Sequence, residues 1–369
     1  MEFTINQKEM HQAIQIVQKA VASKQTMPIL TGILIKTEDN NKLTFTATDM
    51  EIGIEHRITA NIIENGAIVI PANYITNLVR ELPDDKINFK ADSEKFQAKI
   101  ECLNSSFKLN GYDPKEFPQL PAVKTPSKFN LPTSTLKKQI KEIEFSTSND
   151  ETQPTLTGAY FSITDNNMTM VATNTYRLAY SKKNIDININ PDEKIEVILP
   201  GKTLNELNRL LNGENTEILI NSNYAKFQFE NVTIISRLIE GKFPNYQQVM
   251  PNNFNTYLKV DKNTLNKAVK RASYIASINS NTIILKAENN KLVIDTANTE
   301  KGHAHEEIPI EKEGPDQQIN INAGYLLDGL KVLEDDEINI AMIDEINPLT
   351  VQKPDNDNYL YLIMPIRSD

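Results

Sequence analysis

The amino-acid sequence predicts an α+β protein of three similar domains, each with two helices among short antiparallel strands. Three observations carry that prediction. An apolar strand, a polar start signal and an amphipathic helix follow one another three times: EFTINQKEMHQAI from Glu2, KFNLPTSTLKKQI from Lys128 and YLKVDKNTLNKAV from Tyr257. A hairpin follows each copy, and a second helix follows each hairpin. A fixed period of this kind decides architecture ahead of local propensity.

Met10, Leu136 and Leu265 occupy the same slot in the first helix, 126 and 129 residues apart. The hairpin TMPILTGILIKTEDNNKLTFTATD (26–49) aligns with TQPTLTGAYFSITDNNMTMVATN (152–174), placing Gly32 and Gly158 again 126 apart. Its third copy is NSNTIILKAENNKLVIDTAN (279–298). Alternating β-branched residues around a DNN or ENN turn read as strand, tight turn, strand. The second helices are PANYITNLVREL (71–82), PGKTLNELNRLL (200–211) and NAGYLLDGLKVL (322–333). Pro71 and Pro200 are expected at the first helical position, where a missing N–H costs nothing. Helices are thus predicted over 7–24, 72–82, 134–145, 201–213, 262–277 and 322–335. Each unit has the size of a domain and exceeds a solenoid repeat. The Pro- and Asn-rich stretches 121–129 and 250–257 mark the borders, giving domains 1–123, 127–252 and 254–369.

The chain holds 39 Lys and Arg against 49 Asp and Glu, a formal net charge of −10. Taken whole, that argues against a phosphate-rich partner, but a field is local. In the third copy, Leu265, Ala268, Val269 and Ala272 form one apolar stripe, with Lys267, Lys270, Arg271 and Tyr274 opposite. In the second, Leu136, Ile140 and Ile143 face inward while Lys137, Lys138 and Lys141 point away. In the first, Met10, Ala13, Ile14 and Val17 turn inward, and Lys8, Gln12, Gln15 and Lys19 turn out. A cationic face on one helix is ordinary solvated surface. Its recurrence three times in an acidic chain makes a polyanion-binding surface the competing reading.

Nothing points to catalysis. The sequence has no P-loop, no dinucleotide-binding glycine loop, no GxSxG and no HExxH. His303-Ala-His305 has no accompanying Cys or His cluster, so no metal and no cofactor is expected. Asp84-Asp85 and Asp335-Asp336 lie in turn-like stretches and read as solvated acids. The N-terminus MEFTINQKEM lacks a basic leader and an apolar h-region, and no run approaches the ~18 apolar residues of a membrane span. A single cysteine, Cys102, fits a reducing compartment, so a cytoplasmic protein is expected.

The threefold unit resembles the family of bacterial DNA sliding clamps, the beta subunits of the replicative DNA polymerase III holoenzyme. The resemblance spans the chain and is carried by TMPILTGILI (26–35), VATNTYRLAY (171–180), LIEGKFPNYQQVMP (238–251) and the terminal LIMPIR (362–367). It implies a non-catalytic processivity factor, the DNA clamp fold, and a head-to-tail homodimer closed into a ring of six domains. Double-stranded DNA would pass through the ring and be held without regard to sequence. The resemblance places Lys24, Lys137, Lys141, Lys202, Arg209, Lys267, Lys270 and Arg271 toward that DNA. It places Phe107 and Leu109 of one copy against Tyr274 and Ile275 of the other. It also implies a pocket for short peptides of the polymerase catalytic subunit, the clamp loader and other clamp-binding proteins. Leu156, Thr173, Thr175, Tyr176, Arg177 and Leu178 would form one wall, Pro244, Gln248 and Val249 another. Leu362, Met364, Pro365, Ile366 and Arg367 would complete it, with the two arginines as a charged rim. Two departures stand out: Asn174-Thr175-Tyr176 where the family often has Asp-Gly-His, and Gln248 at a position often basic. The alternative is a repeat-built protein-interaction scaffold with no DNA at its centre.

Overall fold

The computed structural model of the 369-residue chain describes residues 1–22, 27–39, 41–124, 126–187, 194–276, 281–296, 302–354 and 356–367. Among them are six α-helices: α1 (Gln7–Val17), α2 (Ala72–Glu81), α3 (Thr133–Ile143), α4 (Gly201–Leu210), α5 (Lys262–Ala276) and α6 (Ala323–Val332). Several are shorter than their hydrophobic periodicity suggests. α1 and α3 tighten into 3₁₀ turns at Gln18–Ala20 and Glu144–Ser146. After α1 the Val21 amide closes the 3₁₀ turn on Gln18 O at 3.2 Å, and the Ala22 amide donates to Leu30 O at 3.1 Å, a tertiary bond that leads the chain away.

The apolar stripes read from the sequence are the buried ones. Met10, Ala13, Ile14 and Val17 of α1 are buried, as are Leu136, Ile140 and Ile143 of α3 and Leu265, Ala268, Val269 and Ala272 of α5. Polar residues join them where a partner exists. Gln7 of α1 is buried with its Nε2 donating to Val79 O at 2.6 Å, and Gln139 of α3 donates to Met168 O and Ser181 O at 2.9 and 2.8 Å.

The described residues group into two compact units that do not coincide with the three repeats. The first consists chiefly of Met1–Ser134 and Asn205–Leu238. It holds a five-stranded sheet in the order Asn61–Glu64, Glu2–Asn6, Lys86–Asp92, Gln97–Cys102, Ser105–Asn110. Its eight-stranded sheet runs Ser127–Pro132, Asn215–Ile220, Tyr224–Phe229, Val232–Arg237, Ile52–Thr59, Lys42–Thr48, Gly32–Glu38, Ala67–Pro71. The second repeat lends the first four of those strands and the first repeat the rest. They meet where Val232–Arg237 pairs antiparallel with Ile52–Thr59.

The second unit consists chiefly of Thr135–Asp186, Asn190–Leu204 and Ile239–Asp369. Its nine-stranded sheet runs Ile195–Pro200, Gly158–Thr164, Asn167–Thr173, Arg177–Asn184, Asn356–Ile363, Leu349–Lys353, Glu337–Met342, Thr256–Asp261, Glu311–Glu313. A four-stranded sheet runs His305–Pro309, Lys291–Thr296, Thr282–Glu288, Gln317–Asn322. Here too the repeats share a sheet, through antiparallel pairing of Arg177–Asn184 with Asn356–Ile363.

The turn chemistry is as the Asn-rich motifs suggest. Asp165 and Asn166 have φ of 50° and 56° between paired Thr164 and Asn167, a two-residue hairpin of the mirror-image type. Asn41 and Asn289, in the other two copies, also have positive φ. Pro71 and Pro200 end their strands, opposite Gly32 and Gly158, one residue earlier than expected. Those two glycines repeat for a steric reason: a Cβ would collide with Val69 at the first and with the Leu199 carbonyl at the second.

One buried network ties α3 into the nine-stranded sheet. The Glu142 carboxylate, fully buried, accepts from Lys353 Nζ at 2.5 Å and from Ser181 Oγ at 2.5 Å, with Lys183 Nζ at 3.2 Å. Burial by itself would raise this carboxyl, yet hydrogen bonds from Lys353 and Ser181 and the charges of Lys183 and Lys353 hold it below its ordinary 4.5. A depressed folded value means stabilisation that is complete above the unfolded value and lost as pH falls through the folded one. Glu142→Ala strands the Lys353 ammonium and is expected to cost about 3–5 kcal/mol in denaturant unfolding at neutral pH. The gap between the two proteins should narrow below pH 4.5; a gap constant with pH would contradict the network.

Candidate peptide-docking groove and nucleic-acid interface

The repeats pair along two seams, Val232–Arg237 with Ile52–Thr59 and Arg177–Asn184 with Asn356–Ile363, and the proposed groove residues lie near the second, within the second unit. Leu156, Leu178 and Leu362 are buried together with Val171, Ile198, Phe243 and Leu360 in one apolar cluster. Leu178 pairs directly with Leu362 across the seam. They form a floor whose methyl groups are already largely out of water. Of the other residues assigned to the groove, Thr175, Tyr176, Pro244, Gln248, Val249, Met364 and Arg367 are exposed, and Thr173, Pro365 and Ile366 are half-buried. Tyr176 is 64% exposed and Met364 38%, so both leave apolar surface open to solvent.

The terminal segment switches role at Met364. Tyr361, Leu362 and Ile363 are buried strand, and the Met364 amide still donates to Tyr176 O at 2.9 Å. Beyond it the Ile366 amide donates to Asn320 O at 2.8 Å, which holds the tail against the unit after the sheet has ended.

Arg177 departs from its expected place on the rim. Its side chain is only 11% exposed, and its guanidinium pairs with Asp328 of α6 at 2.8 Å. It also donates to Phe145 O and lies over the rings of Tyr325 and Phe145, at 4.5 and 5.5 Å from their centroids. Strand alternation explains this. Leu178 lies in the apolar cluster, so Arg177 must face the other side, where its charge serves packing against α6 and not the rim. Of the two arginines, Arg367 alone stands exposed.

Periodicity would also have found residues that motif matching missed. Tyr180 is two residues from Leu178 on the same face, and with Tyr160, Tyr246 and Phe243 it extends the floor as an aromatic group with centroids 5.8–6.1 Å apart. The Tyr160 hydroxyl is pushed up to about 12 by burial and by its hydrogen bond to Glu196.

The turn Thr173–Arg177, expected in the groove wall, is fixed by its own hydrogen bonds. Thr173 Oγ1 donates to Arg177 O at 2.7 Å, and Asn174 Oδ1 accepts from the Tyr176 and Arg177 amides at 3.1 Å. These bonds place Thr175 at φ 75°, a left-handed conformation costly for a β-branched residue.

Of the basic residues expected to face DNA, Lys24 lies outside the described residues. Lys141 on α3, Lys202 and Arg209 on α4, and Lys267, Lys270 and Arg271 on α5 are exposed, and Lys137 is half-buried. All sit off the buried stripes of their helices. Several carry carboxylate partners, one of them a helix neighbour three positions away. Glu334 reaches Lys138 at 2.7 Å and Lys141 at 4.0 Å. Glu306 holds Arg271 by two bonds of 2.7 and 2.6 Å, and Glu206 pairs Arg209 at 3.2 Å.

Phe107 and Leu109 lie on Ser105–Asn110, an edge strand of the five-stranded sheet, with Phe107 exposed and Leu109 half-buried. Tyr274 is exposed and Ile275 half-buried in the last turn of α5. Among the described residues no group of three or more His, Cys, Asp or Glu could hold a metal ion. His303 and His305 instead approach Asp295, His305 Nδ1 lying 2.6 Å from its Oδ1. No described helix is long and apolar enough to cross a membrane.

Comparison with known proteins decides the family. Residues 1–121, 130–245 and 247–367 match the N-terminal, central and C-terminal domains of the DNA polymerase III beta subunit. The chain belongs to the DNA polymerase III beta subunit family. Beta sliding clamps of Staphylococcus epidermidis and Staphylococcus aureus are each 32% identical to it, with 100% of each chain covered. The crystal structure of the Bacillus subtilis DNA polymerase sliding clamp is similar over 100% of both chains, at 31% identity and a TM-score of 0.94. Membership makes the chain a DNA polymerase processivity factor of the sliding-clamp fold and not an enzyme.

At the position where this family often has glycine, Thr175 is strained. Thr175→Gly is therefore expected to raise stability by about 0.5–1 kcal/mol, read as a higher midpoint in thermal unfolding. A lower midpoint would show that the threonine is not strained.

Proposed function

We propose that two chains join head to tail, Phe107 and Leu109 of one copy meeting Tyr274 and Ile275 of the other, to close a six-domain ring around duplex DNA. The domains would be 1–123, 127–252 and 254–369. The observation that carries this reading is the recurrence of cationic or amide faces opposite the buried stripes of α1, α3 and α5 in a chain of net charge −10. A protein-only scaffold gives those faces no role. An edge strand presenting Phe and Leu invites pairing, and a heterologous contact that closes by rotation makes a ring, not a filament.

Lys24, Lys137, Lys141, Lys202, Arg209, Lys267, Lys270 and Arg271 would meet phosphates, without reading bases. The carboxylates of Glu334, Glu306 and Glu206 beside several of these cations support sliding. A phosphate must compete with an ion pair already made, so each contact is weak and exchangeable. Retention then comes from topology.

The groove around Leu178 and Leu362 would take short apolar peptides of the polymerase catalytic subunit, the clamp loader and other clamp-binding proteins in the cytoplasm. Met364 and Tyr176 would supply adaptable surface, and Arg367 the remaining rim charge. A groove of this size fits roughly micromolar, exchangeable binding.

Loading the protein with its clamp loader on nicked circular DNA and then linearising it tests the ring. Retention on circles with loss from free ends is expected; equal retention on both sinks topological binding. Deletion of residues 364–369 removes surface residues and the Met364 and Ile366 amide bonds but leaves the strand Tyr361–Ile363. It should preserve a folded dimer and abolish polymerase stimulation, and stimulation that survives would overturn the placement of the tail in the groove.

A further inference from the structure

The first seam repeats the geometry of the docking groove but not its lining. Thr48, Asp49, Met50, Glu51 and Ile52 stand 125 positions before Thr173, Asn174, Thr175, Tyr176 and Arg177. Thr48 Oγ1 donates to Ile52 O at 2.9 Å, and the Met50 amide donates to Thr48 Oγ1 at 3.0 Å. The counterparts in the second seam are 2.7 and 3.2 Å. Asp49 Oδ1 accepts from the Glu51 and Ile52 amides at 3.0 and 2.8 Å, as Asn174 Oδ1 does from Tyr176 and Arg177. The left-handed residue recurs, with Met50 at φ 77° and Thr175 at 75°. The departing strand is held alike: the Arg237 amide donates to Glu51 O at 2.8 Å, the Met364 amide to Tyr176 O at 2.9 Å.

The core behind the two seams also corresponds. Leu30, Val69 and Phe117 cluster in the first unit as Leu156, Ile198 and Phe243 do in the second. At the seam itself the lining changes. By strand register Gly53 stands for Leu178, Ile235 for Leu362 and Thr233 for Leu360, while Thr46 stands for Val171. The segment after the phenylalanine then behaves differently. Pro118 follows Phe117 as Pro244 follows Phe243, but Leu120 lies over Gly53, where any Cβ would collide with its Cδ2. The corresponding Tyr246 packs on Tyr160 and Tyr180 instead.

We propose that the first seam is a docking groove sealed from within by Leu120, so that each chain offers partner peptides one groove and not two. Glycine at 53 admits the plug. A leucine, as at 178, fills that space with a fixed floor and leaves the slot above it to a partner. The inference rests on the docking reading of the second seam, and its occupant is the chain's own segment 116–124, which begins at the end of a 3₁₀ turn, belongs to no strand and carries Leu120 as its apolar anchor.

Hydrogen exchange on the full chain tests it, with the synthetic peptide EFPQLPAVK (residues 116–124) as probe. In Leu120→Ala the amides of Glu51, Ile52 and Arg237 should exchange about tenfold faster, as local opening of a covered seam requires. Excess peptide should restore the wild-type rates and leave the wild type unchanged at this seam. Gly53→Ala keeps Leu120 but expels it, and should deprotect the same amides, which keeps the test decisive if the first variant loses its fold. Unchanged exchange in Gly53→Ala, or acceleration in a folded Leu120→Ala that peptide fails to reverse, overturns the proposal. Neither readout uses the second seam, so a failed tail deletion refutes the docking reading separately.

Discussion

Strand pairing between repeats is the constraint on which the rest of the structure depends. Arg177–Asn184 pairs with Asn356–Ile363, and alternation sends successive side chains to opposite faces. Leu178, Tyr180, Leu360 and Leu362 share one apolar cluster on one face. On the other, Arg177 meets Asp328, Ser181 meets Glu142, and Tyr361 donates to the Tyr325 carbonyl at 2.8 Å. A one-residue slip would exchange the two sets and bury nothing properly. The groove and the helix packing are therefore two readings of one register. The buried charges reinforce it, because Glu142 and Arg177 find partners in that alignment.

The electrostatics follow a second economy. Excess acid keeps the chain's overall field hostile to polyanions, while the cations on α3, α4 and α5 sit off the buried stripes of their helices. Several of those cations are paired, Arg271 bidentately with Glu306 and Lys138 with Glu334. Exposed pairs of this kind contribute little to stability. Their consequence is instead to moderate the charge presented to a phosphate, which suits a protein that must hold DNA without gripping it.

Repetition gives the chain two seams with the same turn and the same core behind them, and substitution makes them unlike. Where Leu178, Leu360 and Leu362 present apolar floor, the first seam has Gly53, Thr233 and Ile235. Duplicated geometry need not mean duplicated function, because binding depends on what a groove leaves uncovered.

Much of this was legible in the sequence. The three repeats, the buried stripes of α1, α3 and α5 and the Asn-rich hairpins follow from periods of 2, 3.6 and about 126 residues, and the family from the resemblance of stretches 26–35, 171–180, 238–251 and 362–367. The resemblance also named Leu178 and Leu362 together as groove residues. Local periodicity did not reveal that the repeats share sheets, that Arg177 turns inward, or that Glu334 sits on Lys138 from 196 positions away. Sequence by itself determined the elements and the faces they bury, since those depend on neighbours a few residues apart. Only the tertiary structure decided that Leu120 lies over Gly53, that Arg177 turns to Asp328 and that Glu334 sits on Lys138, because these contacts depend on side chains that folding brings together from distant parts of the chain.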